Sequence, residues 1–334
     1  MIEPTTYPRL RPLSIGDLMD EGVRLYRRNW LQLVTLAAIF TVPNSALGVG
    51  YLILNADWLN PARAARLAPF STAYWLFIVS QWVYTAIAYA LYGLMMGAMV
   101  YAAGRHYLNR PVTTQKVLGF VMRRLPVMAG VYLLLLITLV VLSLALVVIV
   151  CIGWVAAPPV IAFVMTNLTA LIVPILMLED RGVLASMRRS WLLTKSQFWR
   201  IVLVLFVLYL FNMAIASGPT LLASVLAINM TKNMVLYSTI SVGSGALIGV
   251  VFTPIWGVCL TLLYYDTRVR REAFDLALIV GDDAPPDDKG PLLIRSDWAT
   301  LGILLVVTWA ALGAMMVGSW LFAFGMISAM RGGI

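Results

Sequence analysis

The chain has 334 residues, of which 61% are apolar and 12% charged, and its formal net charge at pH 7 is +9. Its mean hydropathy of +0.89 is higher than a water-soluble fold could accommodate by burying apolar side chains. This composition excludes a water-soluble enzyme, a disordered chain and a disulfide scaffold. We therefore expect an all-α integral membrane protein.

Six stretches contain no Asp, Glu, Lys or Arg: 29–56, 67–104, 125–178, 201–231, 233–265 and 298–330. One crossing of a bilayer takes about 20 helical residues, so the stretch 125–178 is long enough for two spans. Gly153, Pro158 and Pro159 predict a turn between them. About seven transmembrane helices are therefore predicted, near 30–54, 73–103, 126–150, 156–178, 201–228, 235–265 and 299–329.

The basic residues predict the orientation of these spans. Twenty of the 24 Lys and Arg residues fall in four segments that seven spans would place on one side of the membrane. Short cytoplasmic segments retain Lys and Arg. We expect a multi-pass protein of the cell (inner) membrane, with a cytoplasmic amino terminus and an extracytoplasmic carboxyl terminus. Anionic phospholipid is then a sufficient partner for the positive charge, and no nucleic acid is expected.

Short amphipathic interfacial helices are predicted on the cytoplasmic face, starting near 14, 113 and 182. Ser14 and Asp17 predict the cap of the first one. Each helix leads into a membrane hairpin, so residues 1–278 are expected to be a polytopic module of three pseudo-repeats. An acidic cytoplasmic linker (279–297) and an additional C-terminal transmembrane helix (298–334) are expected to follow.

Two adjacent arginines precede the bilayer in each predicted repeat. Guanidinium groups match phosphate oxygens, which favours binding of lipid headgroups. The alternative explanation is that these residues only anchor the topology. The six positions are Arg27, Arg28, Arg123, Arg124, Arg188 and Arg189.

Small residues recur four positions apart in three of the spans and predict close helix packing. The pattern leaves open whether each stripe faces its own chain or another protein. For the C-terminal helix we expect a membrane-protein partner. The positions are Gly93 and Gly97, Gly245 and Gly249, and Ala314 and Gly318.

Several short motifs carry a resemblance to a known family: LRPLSIGD (10–17) with RLYRRNW (24–30), LEDRG (178–182) with RRSW (188–191) and FWR (198–200), and YYDTRVRRE (264–272). Over about residues 9–278 the chain resembles bacterial membrane proteins related to the membrane domain of glycerophosphoryl diester phosphodiesterases. The resemblance implies a polytopic helical module. We expect no phosphodiesterase domain, because the chain has one histidine and no soluble segment long enough for a catalytic barrel.

No catalytic residues, cofactor or metal site are predicted. One histidine and two cysteines cannot form a metal-ligand cluster, and Ser244 has no base within the spans. Four acidic residues fall at predicted span ends, where we expect water to reach them: Asp57, Glu179, Asp180 and Asp266.

Two functions remain open from the sequence. The preferred one is a non-enzymatic membrane module, a scaffold or accessory subunit of a membrane assembly that contacts anionic lipid. The alternative is a transporter or lipid-translocating protein for an uncharged or amphipathic substrate. Its site would lie where Pro174 and Pro219 interrupt their helices, lined by Asn167, Asn212 and Ser217. Simple kinks at these prolines are the favoured interpretation.

Overall fold

The computed structural model describes residues 11–59, 71–148, 152–230, 234–280 and 291–331. These residues form twelve helices and no strand. The helices are α1 (Ile15–Arg28), α2 (Trp30–Leu54), α3 (Ala56–Leu59), α4 (Thr72–Tyr107), α5 (Thr114–Val148), α6 (Ile152–Thr169), α7 (Ile172–Leu178), α8 (Val183–Lys195), α9 (Phe198–Met230), α10 (Met234–Glu272), α11 (Phe274–Val280) and α12 (Arg295–Arg331).

Among the described residues, seven spans are long and apolar enough to cross a membrane. Six of them are the single helices α2, α4, α5, α9, α10 and α12. The fourth span is formed by α6 and α7 together. The predicted all-α membrane fold is therefore confirmed. The protein is a multi-pass membrane protein by the length and composition of its helices.

The centre of the bundle is formed by α2, α4 and α10, which contact one another. Leu36, Met99 and Leu262 of these helices are fully buried. The last helix, α12, packs against α6. Only 6% of the 18-residue apolar stretch that identifies α12 as a span is buried, against 56% of the corresponding stretch of α4. Therefore α12 lies at the periphery, where most of its surface is available to lipid or to another protein.

Glycines allow the central helices to approach closely. A Cβ atom at Gly257 of α10 would lie 2.6 Å from the Cβ of Met99 in α4. A Cβ at Gly22 of α1 would lie 2.5 Å from the Sγ of Cys259 in α10. Neither contact was predicted, because the predicted stripe of this span ended at Gly249 and none was predicted in α1.

The stripe that contains Gly93 and Gly97 packs inside the chain. A Cβ at Gly93 would lie 2.9 Å from the ring of Tyr132 in α5, and one at Gly97 would lie 3.2 Å from the Sδ of Met177 in α7. Larger side chains at these positions would push α4 away from both neighbours.

The other two predicted stripes do not pack within the described part of the chain. Among the described residues, a Cβ at Gly245 or Gly318 would meet no atom within 4 Å. A Cβ at Gly249 would meet only Thr253 of its own helix at this distance, although Gly249 lines a void between α2, α4 and α10, and Ala314 is exposed. These small residues therefore make no close helix contact among the described helices.

The first interfacial helix begins at the predicted cap. The Ser14 hydroxyl accepts a hydrogen bond from the Asp17 amide at 3.1 Å, and the Asp17 carboxylate accepts one from the Ser14 amide at 3.3 Å. Hydrogen bonding by the Ser14 side chain and then its backbone lowers the pKa of Asp17 below its ordinary value. Because the folded-state pKa is lowered, this carboxylate contributes to stability at neutral pH and the contribution is lost on acidification.

The second predicted interfacial helix is not a separate element. Residues from Thr114 onwards continue without interruption into α5, and Pro126 lies within that helix. The sequence between them offers no helix stop, so the segment before the span extends it instead. By contrast, α1 ends at Arg28 and α8 at Lys195, each before a new span begins.

Prolines have different effects in different spans. The fourth span is broken between Thr169 and Ile172, because Pro174 cannot donate a hydrogen bond one turn back and its ring crowds the carbonyl there. The fifth span continues through Pro219. Pro158 and Pro159 lie inside α6 and do not form the predicted turn. Residues 149–151, which connect α5 to α6 in sequence, lie outside the described residues.

The four arginine-rich segments meet at one end of the bundle. Asp266 at the end of α10 accepts a hydrogen bond from the Leu13 amide at 2.7 Å and binds Arg200 of α9. The His106 Nε2, in the last turn of α4, lies 2.6 Å from the Oε1 of Gln32 in α2. We call this end the arginine-rich face. The meeting of these segments agrees with seven spans, because an even number of crossings separates each of them from the next.

Candidate functional site

The carboxylate of Glu179 is buried at the arginine-rich face, and its side chain has no exposed area. Arg189 donates from Nε to both oxygens, at 3.1 and 3.0 Å, and Tyr264 donates its hydroxyl at 2.7 Å. Arg181 adds an ion pair at 2.9 Å. Asp180 lies between α7 and α8 and has a φ of 53°. The resulting turn of the backbone brings Arg189 of α8 back to Glu179.

Arg189 also connects Glu179 to a second carboxylate. Its Nη1 lies 2.6 Å from the Oε1 of Glu272, at the end of α10. Arg268, one turn earlier on α10, donates from Nε to Glu272 at 3.0 Å. The guanidinium of Arg268 also lies 3.9 Å from the centroid of the Phe274 ring, a cation–π distance.

A third carboxylate, Asp266, holds the segment before α1. It accepts the Leu13 amide at 2.7 Å, pairs with Arg270 at 3.1 Å and binds Arg200. Both arginines also donate to the Leu13 carbonyl, each at 2.7 Å. Ion pairs and hydrogen bonds to the Leu13 backbone therefore hold the segment before α1 against Arg200 of α9 and against α10.

The expectation that water reaches Glu179 and Asp266 is wrong, because neither side chain has exposed area. Asp180 does remain 85% exposed. Buried carboxylates are stable when their oxygens accept charged hydrogen bonds, as these do. With their oxygens occupied by guanidinium and hydroxyl donors, Glu179 and Asp266 stabilise the arginine-rich face structurally.

The six predicted headgroup arginines occupy different environments. Arg189 is only 3% exposed and is bound by Glu179 and Glu272, so the prediction of a headgroup contact is wrong for this residue. Arg124 is half-buried and pairs with Asp180. The remaining four, which we call the headgroup arginines, are exposed: Arg27, Arg28, Arg123 and Arg188.

The two asparagines predicted to line a transporter vestibule at the fourth and fifth spans have separate surroundings in the described part of the chain. Asn167 is buried, and its amide donates to the Phe163 carbonyl of its own helix at 2.8 Å. Asn212 lines a void of about 10 Å³, and Asn167 does not line it. A void of that size holds about one water molecule.

Within the described ranges, no three His, Cys, Asp or Glu side chains are arranged as metal ligands. No family model, curated protein or solved structure matches the chain. The resemblance to the glycerophosphodiesterase membrane domains therefore stays a prediction, and a function has to be argued from the chain's own residues.

Proposed function

We propose that the protein is a non-enzymatic integral membrane module, a scaffold or accessory subunit of a membrane assembly. In this proposal the arginine-rich face lies on the cytoplasmic side of a bacterial inner membrane and holds anionic phospholipid. The observation that carries the proposal is that each headgroup arginine lies beside exposed apolar side chains.

The first such position is the junction of α1 and α2. Arg27 and Arg28 are exposed at the end of α1, and Trp30 and Leu31 directly follow them, 55% and 66% exposed. At a membrane boundary the apolar side chains enter the acyl region and the guanidinium groups reach the phosphates. Exposed arginines followed directly by exposed apolar side chains fit a position of this junction at the headgroup level of a bilayer.

Two further positions repeat the arrangement. On α5, Arg123 lies between Met122 and Leu125, which are 55% and 42% exposed. On α8, Arg188 follows Leu184, which is 72% exposed and one helical turn earlier. A guanidinium group beside exposed apolar side chains can hold a phosphate while the acyl chains pack on the apolar groups, so these four positions can retain lipid together.

The test is a variant with all four headgroup arginines replaced by glutamine. The purified full chain would be examined by native mass spectrometry with phosphatidylglycerol and phosphatidylcholine of matched acyl chains. We expect the variant to retain several-fold less phosphatidylglycerol and unchanged phosphatidylcholine.

The matched control removes four other exposed positive charges from the same face: Arg11→Gln, Arg24→Gln, Lys116→Gln and Arg271→Gln. It should retain phosphatidylglycerol as the unmodified chain does. Equal losses in both variants, or no loss in either, would contradict specific headgroup binding.

A transporter or lipid-translocating protein for an uncharged or amphipathic substrate is a second candidate. A void of about 120 Å³ between α2, α4 and α10 supports it, since Thr41, Asn44, Tyr92 and Thr253 line this void. The Asn44 Oδ1 is buried without a hydrogen-bond partner among the described residues. If a Thr41→Cys variant reacts with water-soluble thiol reagents from both sides, transport is supported; protection from both sides contradicts it.

A further inference from the structure

A second feature of the arginine-rich face is a cavity of about 130 Å³ between α4, α7, α10 and α11. Arginine and tyrosine supply its polar lining, from Arg105, Arg110, Arg268, Tyr264 and Tyr265, with Tyr101 beside them. The described residues that line it include no carboxylate. The cavity is therefore surrounded by hydrogen-bond donors and positive charge.

One donor of Arg105 has no acceptor within the described part of the chain. Its Nε is buried and has no hydrogen-bond partner among the described residues. A buried donor without an acceptor destabilises a fold by about 1–3 kcal/mol, and more when it is charged. Arg105 also lines the cavity, where an oxyanion would give its guanidinium group an acceptor.

The chain holds Arg105 and Arg110 close together through a tight turn. Asn109 adopts a φ of 55°, and the amide of Arg110 donates to the carbonyl of Arg105 at 2.8 Å. Arg105 is half-buried, and Arg110 is exposed. The two guanidinium groups therefore line the cavity from its inner part to its solvent-exposed side.

Arg268 is held in place on the opposite helix. It donates from Nε to Glu272 at 3.0 Å and from Nη1 to the Tyr264 hydroxyl at 3.3 Å, and it stacks on Phe274. Because its position is fixed in advance, little side-chain entropy is lost when it binds a ligand. Arg105, Arg110 and Arg268 all line this one cavity, together with Tyr265.

The buried carboxylates beside the cavity neutralise its charge only in part. Glu179 is bound by Arg181 and Arg189, and Glu272 by Arg189 and by Arg268 of the cavity lining. With Arg105 and Arg110, five arginines therefore stand against these two carboxylates. A phosphate group carries about −1.5 to −2 charge at pH 7 and three strong acceptor oxygens, and guanidinium groups match its geometry. We propose that this cavity binds a phosphate-type oxyanion, either inorganic phosphate or the terminal phosphate of a lipid headgroup.

Two variants of the full chain test the proposal. Arg105→Gln removes the buried guanidinium. Leu108→Trp keeps every charge and fills the cavity from a half-buried lining position at the end of α4. Arg24→Gln is the control, because Arg24 is an exposed arginine of the same face with a side chain that is 76% exposed.

The first measurement is the melting temperature of delipidated protein in neutral detergent, in inorganic phosphate and in sodium chloride of equal ionic strength. A ligand that binds the folded state raises the melting temperature, by a few degrees at saturation. The second measurement is retention of phosphatidic acid against phosphatidylglycerol in native mass spectrometry, because only phosphatidic acid has a terminal phosphate.

A rise specific to phosphate that is lost in Arg105→Gln and Leu108→Trp, and kept in Arg24→Gln, supports the site and identifies free phosphate as its ligand. A several-fold preference for phosphatidic acid with the same dependence supports the site and identifies a headgroup. If Arg105→Gln does not fold, Leu108→Trp decides the question. The proposal is overturned if chloride raises the melting temperature as much as phosphate does. It is also overturned if neither cavity variant changes the phosphate response or the retention of phosphatidic acid.

The test is independent of the headgroup arginines. The variant with all four of them replaced should keep the response that depends on the cavity. If only the cavity response fails, the proposed lipid contact of the headgroup arginines still stands. If only the lipid contact of the headgroup arginines fails, the proposed oxyanion site still stands.

Discussion

Glu179 and Asp180 are neighbouring acids with opposite surroundings. The side chain of Glu179 has no exposed area and lies against two arginines and a tyrosine, whereas that of Asp180 is 85% exposed. Burial decides what each charge contributes, because removal of one partner of a buried pair leaves the other charge uncompensated. This pair of residues therefore offers a matched comparison.

We predict that Glu179→Gln destabilises the protein by about 3–5 kcal/mol, since it leaves Arg189 buried with one carboxylate fewer. Asp180→Asn should cost about 1 kcal/mol or less, because the Asp180 side chain is 85% exposed and water screens its pair with Arg124. Asparagine also tolerates the φ of 53° at this position. Melting temperatures in detergent measure both effects. Equal shifts for the two variants would show that the buried network does not stabilise the fold.

The glycines of α10 provide a second comparison at this scale. Gly257→Ala should destabilise the bundle by about 1–3 kcal/mol, because its new methyl group would lie 2.6 Å from the Cβ of Met99. The new methyl group of Gly243→Ala in the same helix would meet no described atom within 4 Å. This variant should be neutral or stabilising, since alanine favours a helix over glycine by about 1 kcal/mol. Melting temperatures test this too, and a neutral Gly257→Ala would contradict the close approach of α4 and α10.

At the level of elements, the spans were predictable because hydropathy and length are local properties of the sequence. The predicted span 30–54 coincides with α2 (Trp30–Leu54), and the division of 125–178 into two spans is confirmed. Helix ends were less predictable. The segment before the third span continues into α5, and Pro174 breaks the fourth span while Pro219 leaves the fifth continuous.

The peripheral position of α12 leads to a prediction about this helix alone. A chain that ends at Val280 should melt within a few degrees of the full chain, because α12 packs on α6 and buries little of its surface. The same truncation should abolish any larger complex seen on native gels, if α12 is the helix that binds a membrane-protein partner.

The control for this truncation keeps α12 and weakens its contact with α6. In Trp309→Phe the hydrogen bond of 2.8 Å to the Val155 carbonyl is lost, while the exposed apolar surface of α12 remains. Complexes that persist without α12, or disappear only in Trp309→Phe, would contradict a partner site on this helix.

The candidate site was much less predictable than the spans. An acidic residue that follows an apolar stretch has the same sequence pattern whether water or an arginine faces it. Glu179 meets Arg189 ten residues later and Tyr264 eighty-five residues later. The only sequence signal was that Glu179 and Asp266 each end a charge-free stretch. The contacts among α4, α7, α10 and α11 become visible only once the helices are packed.

At the level of the whole molecule, seven crossings bring four arginine-rich segments to one face. Both proposals place that face on the cytoplasmic side, where anionic headgroups and dissolved phosphate are available. The central claim is therefore the orientation of the bundle, and it can be tested without any ligand.

The most direct test is thiol labelling in intact cells, with Cys151 and Cys259 replaced by serine. Single cysteines would be placed at two exposed positions at opposite ends of the bundle, Arg24→Cys at the arginine-rich face and Thr72→Cys at the start of α4. We predict that a membrane-impermeant maleimide labels Thr72→Cys in intact cells and Arg24→Cys only after lysis. Labelling of Arg24→Cys in intact cells would contradict the account.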